Sequence, residues 1–216
     1  MPKQADFSLY LITNRQGMGM EQFETTLEET LLGGVTIVQL REKMISDTEY
    51  IMLAKKIKPM LVKYNVPLII NDNPYVAKEA GADGVHLGQK DHDVEQARQL
   101  LGQQAIIGLS IEKTNQAKHI DKLPIDYAAI SPIFNTDTKK DISTPLGIEN
   151  AKMIRKMVKK DLLAIGGINI SNVAEVLSTG IDGVCIISAI FNDSDPRLAA
   201  QKLKEKIIHH RRYNYA

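Results

Sequence analysis

The stretch Ala82-Asp83-Gly84-Val85-His86-Leu87-Gly88-Gln89-Lys90-Asp91 decides the fold, because its apolar run follows a glycine and stops abruptly in polar, ionisable residues. A buried strand needs apolar residues only while it stays buried. Four more apolar runs end in the same way, at Gln39-Leu40-Arg41-Glu42-Lys43, Asn71-Asp72-Asn73, Leu109-Ser110 and Asn135-Thr136-Asp137-Thr138-Lys139-Lys140. Polar groups placed repeatedly past strand ends indicate several parallel strands that open onto one common face, as in a barrel or a doubly wound sheet.

An internal repeat gives the length of the repeating unit. Leu32-Gly33-Gly34-Val35 and Ile181-Asp182-Gly183-Val184 repeat the helix end, glycine and strand start of the opening stretch, and we interpret the glycines as left-handed turns that end helices. Val85 lies 50 residues after Val35, and Val184 lies 99 residues after Val85. These steps fit two and four units of about 25 residues each. Eight such units nearly fill the 216 residues, so we predict a single (β/α)8 TIM barrel domain spanning residues 1–216.

Strand-like runs alternate with helical patterns from end to end. The predicted strands are Ser8–Thr13, Val35–Leu40, Pro67–Ile70, Asp83–Leu87, Ala105–Leu109, Tyr127–Ile130, Leu162–Ile165 and Gly183–Ile187. The clearest helical patterns cover residues 50–57 and 148–158, with predicted N-caps at Ser46 or Asp47 and at Ser171.

The composition excludes several classes of partner. Lys and Arg number 27 against 26 for Asp and Glu, which gives no global attraction to nucleic acid or to an anionic membrane. The first residues lack the layout of a signal peptide, and no apolar run approaches the length of a membrane span. We therefore expect a soluble, cytoplasmic protein, in which the lone Cys185 is a small buried hydrophobe.

Two carboxylates follow neighbouring strands. Asp72 and Asp91 come after the third and fourth predicted strands, so both could hold one hard cation. Mg²⁺ prefers one or two carboxylates together with water and phosphate oxygens. No histidine and cysteine cluster has the spacing of a zinc site. The spacing alone leaves an equal alternative, in which these are two ordinary loop aspartates.

Cations and amides occupy other strand ends. Arg41, Lys43 and Lys139 could hold a diphosphate together with a metal, because arginine pairs bidentately with phosphate oxygens and lysine supplies a compact charge. Gln39 and Asn71 are placed to fix a polar ring by paired hydrogen bonds. The alternatives are ordinary solvated charge and simple polarity at strand ends. For His86 we favour a structural role in the core over a role in the site.

A second anion site is predicted after the last two strands. Gly166-Gly167 and Ser188-Ala189 offer backbone N–H groups where barrels usually bind phosphate. The alternative is that these glycines only permit a tight turn. The segment Thr136-Asp137-Thr138-Lys139 lies in a long connection, which is typical of a lid over an anionic ligand but also of a mobile surface loop.

Motifs in order along the chain closely resemble those of the thiamine-phosphate synthase family. They are Gln39-Leu40-Arg41-Glu42-Lys43, Ile70-Asn71-Asp72, Gly84-Val85-His86-Leu87-Gly88-Gln89-Lys90-Asp91, Gly108-Leu109-Ser110, Thr136-Asp137-Thr138-Lys139, Gly166-Gly167-Ile168 and Ile187-Ser188-Ala189-Ile190. The resemblance implies a (β/α) barrel transferase that joins a hydroxymethylpyrimidine diphosphate to a thiazole phosphate and releases pyrophosphate by a dissociative reaction.

The resemblance also implies roles for individual residues. The residues that would bind the pyrimidine diphosphate are Gln39, Leu40, Arg41, Glu42, Lys43, Asn71, Ser110 and Lys139. Those that would bind the thiazole phosphate are Thr136, Asp137, Thr138, Gly167, Ile187 and Ser188. Asp72 and Asp91 would hold Mg²⁺, and Lys139, Arg41 and Ser110 would be catalytic because they stabilise charge on the leaving group.

One residue departs from the family pattern, and two alternative functions stay open. Ser131 stands before Pro132 where the family usually has glycine. A related thiazole tautomerase would share the barrel but has less use for the cations and the metal. A non-catalytic thiamine-phosphate binding protein would need only the thiazole pocket. Small-molecule substrates are the expected partners, and a homo-oligomer is the expected assembly.

Overall fold

The computed structural model describes residues 5–15, 17–136 and 144–214, which form a closed barrel of eight parallel strands. The strands are β1 Leu9–Ile12, β2 Ile37–Leu40, β3 Leu68–Asn71, β4 Gly84–Leu87, β5 Ile106–Ile111, β6 Tyr127–Ile130, β7 Asp161–Ile165 and β8 Gly183–Ile186. Each strand pairs with the next in sequence, and β8 pairs with β1. The predicted TIM barrel is therefore confirmed, with every predicted strand in place.

Helices connect the strands on the outside of the barrel. They are α1 Met20–Leu32, α2 Asp47–Lys63, α3 Pro74–Ala80, α4 Val94–Leu101, the 3₁₀ helix Thr114–Lys122, α5 Gly147–Met157, α6 Val173–Leu177, α7 Ser188–Phe191 and α8 Pro196–Asn214. Throughout the described ranges, none of these helices is both long and apolar enough to cross a lipid bilayer.

Of the two predicted N-caps, one is confirmed and one is wrong. Ser46 caps α2 in a complete capping box, in which its side chain and that of Glu49 bond each other's backbone N–H. Ser171 does not cap α6, because the helix begins one residue later and Asn172 is the cap. The Ser171 hydroxyl instead donates to Asn169 Oδ1 at 2.6 Å, so it helps to fold the loop before the helix.

Alternation along the strands divides the apolar side chains into two layers. Side chains of one parity pack between the strands and the helices. Those of the other parity fill the barrel interior, namely Phe7, Tyr10, Ile12, Ile37, Ile69, Tyr127, Ala129, Leu163, Ile165 and Cys185. Because side chains along a strand alternate with period two, the last inward residue of each strand faces the carboxyl-terminal mouth of the barrel.

The repeated glycines have a different cause from the one that the sequence suggested. Gly84 and Gly183 are strand residues. A Cβ atom on Gly84 would lie 1.9 Å from the Ile106 carbonyl oxygen, and one on Gly183 would lie 1.9 Å from the Phe7 carbonyl oxygen, both in the adjacent backbone segment. Our interpretation of them as left-handed turns is therefore wrong, because close approach of two backbones requires glycine there. In the remaining copy of the repeat, Gly34 does have a positive φ of 96°.

At the opposite, amino-terminal rim of the barrel, four residues each form a pair of hydrogen bonds with the neighbouring strand. We call each such pair a clasp, and the clasps occur at every second strand-to-strand step. Asp83 donates its backbone N–H to the Leu68 carbonyl at 2.8 Å, and its carboxylate accepts the Leu68 N–H at 2.9 Å. The same two-way pairing joins Asp126 to Ile107, Asp182 to Leu162, and Thr36 to Leu9. The clasps therefore link β3 to β4, β5 to β6, β7 to β8 and β1 to β2.

Candidate active site

Three predicted site residues lie on the inward face of their strands at the mouth. Gln39, Asn71 and Ser110 are buried, with 2%, 8% and 7% of their surfaces exposed, and they have the same parity as the residues that fill the interior. Leu40 has the opposite parity and packs with the outer core that supports the helices. Its side chain therefore does not reach the mouth, and only its backbone is near the other residues of that motif.

Two carboxylates and a lysine meet where β3 and β4 end. The Lys43 ammonium forms an ion pair with Asp72 Oδ2, and the Asp91 carboxyl lies close enough to that of Asp72 for each to shift the pKa of the other. Asp91 Oδ2 accepts the Gly88 N–H at 2.7 Å. Asp72 has a positive φ of 67°, which is uncommon for a residue with a side chain. This conformation costs free energy and is a feature of functional sites.

The pKa values of the two carboxyl groups are shifted in opposite directions. Partial burial and the hydrogen bond to the Asp72 carboxylate raise the pKa of Asp91. Partial burial acts in the same sense on Asp72, but hydrogen bonds with Lys43 and Asp91 outweigh it and lower the pKa of Asp72. The Lys43 ammonium therefore favours the ionised form of Asp72, whereas the neighbouring Asp72 carboxylate disfavours ionisation of Asp91.

This pair has the chemistry of a site for a hard divalent cation. Carboxylate oxygens are the protein ligands that Mg²⁺ prefers, and one or two are enough when water and phosphate oxygens complete the shell. Within the described ranges, no group of three or more histidine, cysteine, aspartate or glutamate residues is arranged to hold a metal. A cation at Asp72 and Asp91 would therefore need oxygen ligands from solvent or from a bound phosphate.

Buried donors without partners lie beside the carboxylates. Arg41 Nε and Asn71 Nδ2 are inaccessible to solvent and have no hydrogen-bond acceptor among the residues that the structure describes. A buried donor left unpaired costs free energy, so such groups indicate an acceptor supplied by a ligand. The neighbouring Glu42 is already paired, since its Oε1 accepts from Arg15 Nε at 3.0 Å.

A cavity of about 240 Å³ lies at the ends of β6, β7 and β8. Its walls are Ser131, Pro132, Thr136, Ile165, Gly166, Gly167, Ile168, Asn169, Cys185, Ile187, Ser188 and Ala189. Four of the residues predicted to bind a thiazole phosphate therefore lie together, namely Thr136, Gly167, Ile187 and Ser188. Cys185 is buried as predicted, with 3% of its surface exposed, and also borders this cavity. Asp137, Thr138 and Lys139 fall outside the described residues, so their placement stays a prediction.

Glycine is required at two walls of this cavity. Gly166 and Gly167 have φ values of 105° and 65°. A Cβ on Gly166 would lie 2.5 Å from Pro132 Cβ, and one on Gly167 would lie 2.6 Å from the Asn135 carbonyl oxygen. The Gly167 N–H donates to no acceptor in the described part of the chain. The turn therefore places the unbonded N–H of Gly167 in the wall of the cavity.

Polar residues that the sequence analysis did not assign to the site lie beneath the mouth. Tyr10 and Tyr127 are fully buried and hydrogen-bonded to each other at 2.8 Å. His86 contacts both Tyr127 in the core and Ser110 at the mouth, so the two roles weighed for it are combined. Gln89 Nε2 donates to the Ser110 carbonyl at 2.5 Å. A tyrosine at an inward position in each of two otherwise apolar strands is the sequence signal that would have indicated these buried hydrogen bonds.

Comparison with known proteins gives consistent results. A family model described as thiamine monophosphate synthase matches residues 9–190. The thiamine-phosphate synthase from Clostridium botulinum (strain Loch Maree / Type A3) is 42% identical to this chain, and the alignment covers 92% of this chain and 97% of that protein. The thiamine-phosphate synthase from Albidiferax ferrireducens is 41% identical, and the alignment covers 92% of this chain and 91% of that protein.

Solved structures show the same relationship. Thiamine phosphate pyrophosphorylase from Pyrococcus furiosus superposes with a TM-score of 0.85 at 32% identity, covering 95% of this chain and 98% of that one. Orotidine 5'-phosphate decarboxylase from Pyrococcus horikoshii superposes with a TM-score of 0.67 at 15% identity, covering 92% of this chain and 99% of that one. The second likeness concerns the barrel fold alone.

Proposed function

Because this chain belongs to the thiamine monophosphate synthase family and is a transferase, we propose that it condenses hydroxymethylpyrimidine diphosphate with hydroxyethylthiazole phosphate. The products would be thiamine phosphate and pyrophosphate. One observation carries this proposal. The carboxylates and cations at the ends of β2 to β4 share a single mouth with the glycine-walled cavity at the ends of β6 to β8. Such a mouth accommodates two phosphorylated substrates side by side.

In this proposal the ends of β2 to β4 bind the pyrimidine diphosphate. Arg41 Nε and Asn71 Nδ2 are the buried donors that still need acceptors. Asp72 and Asp91 would hold Mg²⁺, which when bound would neutralise negative charge on the diphosphate. Lys43 now offsets the charge of Asp72, and it would turn towards the diphosphate once a cation occupied the pair.

Catalysis would come from fixed positive charge and a fixed hydrogen-bond donor. The reaction breaks a carbon–oxygen bond, pyrophosphate carries away the electron pair, and the thiazole nitrogen captures the resulting pyrimidine methyl cation. Groups that are stronger partners for the leaving pyrophosphate than for the bound diphosphate lower the barrier. We assign this role to Arg41, Ser110 and Lys139, of which Lys139 rests on the motif Thr136-Asp137-Thr138-Lys139 alone.

The ends of β6 to β8 would bind the thiazole phosphate. The cavity wall supplies the Gly167 N–H and the backbone of Ile187 and Ser188, and backbone N–H groups are effective donors to phosphate oxygens. Thr136 borders the same cavity, and Asp137 and Thr138 would follow it along the loop. Ser131 also borders the cavity, so its hydroxyl would lie close to the thiazole phosphate.

The test is to mix the chain with both substrates, with and without Mg²⁺, and to measure the release of pyrophosphate. We expect release that requires both substrates and the metal. For substitutions that remove a charge from Asp72 or Asp91, Glu79→Gln is a suitable control, because Glu79 is exposed on α3, away from the carboxylate pair. Absence of release with every divalent metal would refute the synthase assignment. Isomerisation of the thiazole phosphate alone would instead identify the tautomerase.

Three expectations from the sequence accompany this proposal. We propose that residues 1–216 act as one domain, that the protein works in the cytoplasm and that it assembles as a homo-oligomer. Sedimentation of the purified chain would test the assembly directly. A sedimentation coefficient that corresponds to a 24.0 kDa monomer would contradict it.

A further inference from the structure

A continuous chain of hydrogen bonds runs beneath the mouth and joins two of the proposed substrate-binding residues. Gln39 Nε2 donates to Tyr10 Oη at 2.9 Å, and Tyr10 Oη lies 2.8 Å from Tyr127 Oη. Tyr127 Oη lies 3.0 Å from His86 Nδ1, and His86 Nε2 lies 3.0 Å from Ser110 Oγ. The chain therefore starts at the end of β2, crosses the interior and returns to the mouth at β5.

The middle of this hydrogen-bonded chain is buried and packed among aromatic rings. Tyr10 and Tyr127 have none of their surfaces exposed, and His86 has 8% exposed. The Tyr127 ring stacks on His86 with 5.5 Å between centroids and packs against Phe7 at 4.8 Å. Burial raises the pKa of both phenols, so each remains protonated and donates one hydrogen bond.

Counting donors gives the chain a direction. Tyr10 accepts from Gln39, so its own hydrogen must go to Tyr127, and the Tyr127 hydrogen must go to His86 Nδ1. A neutral His86 then carries its proton on Nε2 and donates to Ser110 Oγ. This arrangement places the hydroxyl hydrogens of both tyrosines and the His86 ring hydrogen between members of the hydrogen-bonded chain. It leaves Gln39 Oε1 as an acceptor at one end and the Ser110 hydroxyl as a donor at the other.

We propose that Tyr10, Tyr127 and His86 are positioning residues that hold Gln39 as an acceptor and Ser110 as a donor towards the substrate. This inference rests on the proposed function, because it assumes that both ends contact the pyrimidine substrate. Reversing the direction of these hydrogen bonds would require every member to exchange its donor and acceptor roles. The groups presented by Gln39 and Ser110 therefore change only together. The mouth therefore offers an acceptor at Gln39 to an N–H of the pyrimidine ring and a donor at Ser110 to an oxygen of the diphosphate.

The first test is a direct observation of the His86 tautomer. In the ¹⁵N-labelled chain, nitrogen chemical shifts distinguish a proton on Nε2 from one on Nδ1. We expect His86 to be neutral and protonated on Nε2 before any substrate is added. A proton on Nδ1 would overturn the proposal, because the chain would then run in the opposite direction.

Variants then separate positioning from support of the fold. Tyr127→Phe keeps the ring and breaks the chain, so we expect a mixture of His86 tautomers. Tyr10→Phe breaks it one link earlier and should give the same result. Tyr50→Phe is the matched control, because the Tyr50 hydroxyl is also buried and hydrogen-bonded, but to the backbone of Leu40 and Asn71, and the Tyr50 ring packs in the outer core. The tautomer should not change in this control, and an unchanged tautomer in Tyr127→Phe would overturn the proposal.

Kinetics provide the second readout. Tyr127→Phe should raise the KM for the pyrimidine diphosphate about tenfold, as expected when one polar contact is mispaired. The KM for the thiazole phosphate should stay unchanged, whereas equal increases for both substrates would indicate a merely structural role. The NMR result does not depend on activity. A wild-type chain that releases no pyrophosphate but has the Nε2 proton would refute the proposed function alone and support the hydrogen-bond direction.

Discussion

The two halves of the mouth present phosphate-binding groups in different ways. At the ends of β2 to β4 the groups are side chains, and Lys43, Asp72 and Asp91 are already in contact before any ligand is bound. At the ends of β6 to β8 the wall includes the backbone at Gly166 and Gly167, where side chains would not fit. One half is therefore defined by charge and the other by the space left for a ligand.

This difference predicts how each half responds to substitution. A charged half is sensitive to removal of a side chain, because its binding free energy comes from particular ionised groups. A backbone half is sensitive to addition of a side chain and tolerant of its removal, because peptide N–H groups are unaffected by truncation.

Asp72→Asn should have the largest effect. It keeps the size of the side chain and removes the negative charge of Asp72, with which Lys43 is paired and beside which Asp91 lies. We expect kcat/KM for the pyrimidine diphosphate to fall about 10³-fold, because a metal-assisted leaving group loses its main stabilisation. The affinity for the thiazole phosphate, measured by calorimetry, should stay near that of the wild type. Parallel losses at both substrates would show that the halves are not separate.

Gly167→Ala should have an intermediate effect, confined to the other half. The new Cβ would lie 2.6 Å from the Asn135 carbonyl oxygen at a φ of 65°. We expect a loss of about 2–3 kcal/mol in the free energy of unfolding. The KM for the thiazole phosphate should rise about tenfold, because the turn must move away from the cavity.

Gly81→Ala is the control for this substitution. Gly81 has a φ of 63° and a ψ of 34°, in the left-handed region, and a Cβ there would meet only Lys58 Nζ, at an ordinary contact distance of 3.9 Å. It should lose only about 1 kcal/mol, from backbone strain without a clash, and its KM values should match the wild type. Urea denaturation of the two variants measures the difference. Equal losses would mean that strain, and not the approach of Asn135, explains the glycine.

Ser188→Ala should have the smallest effect. Ser188 is exposed and borders the cavity, and in the proposed site its backbone binds the phosphate. Truncation should therefore change the KM for the thiazole phosphate by less than about threefold, within the range of a solvent-exposed contact. A tenfold increase in steady-state assays would assign the binding to the hydroxyl and would weaken the contrast between the halves.

The charged half could be predicted from the sequence, but the hydrogen-bonded chain beneath it could not. Asp72, Asp91 and Lys43 follow apolar runs directly, so placing the strand ends on one face brings these side chains together. Tyr10 and Tyr127 lie in strands β1 and β6, far apart along the chain. They meet only because the barrel closes with inward side chains in register, and the sequence analysis did not follow that register across the interior.

The strands could be predicted, but the reason for some of their glycines could not. Apolar β-branched runs between helical patterns placed every strand, because burial sets local composition. Gly84 and Gly183 were assigned to turns, whereas the approach of a neighbouring backbone requires them. That approach depends on which strand lies alongside, which local sequence does not encode. The loop that carries Lys139 lies outside the described residues, so its role stays a prediction.

The clasps at the amino-terminal rim have a consequence for dividing the chain. Because Thr36, Asp83, Asp126 and Asp182 join strands in pairs, the barrel consists of four modules, and no such clasp spans the step from β4 to β5. A cut after Gly102 leaves two complete clasps in each fragment. A cut between β5 and β6 separates Asp126 from Ile107 and leaves one strand end unclasped. The boundary near Gly102 is thus where two co-expressed fragments would reassemble most readily.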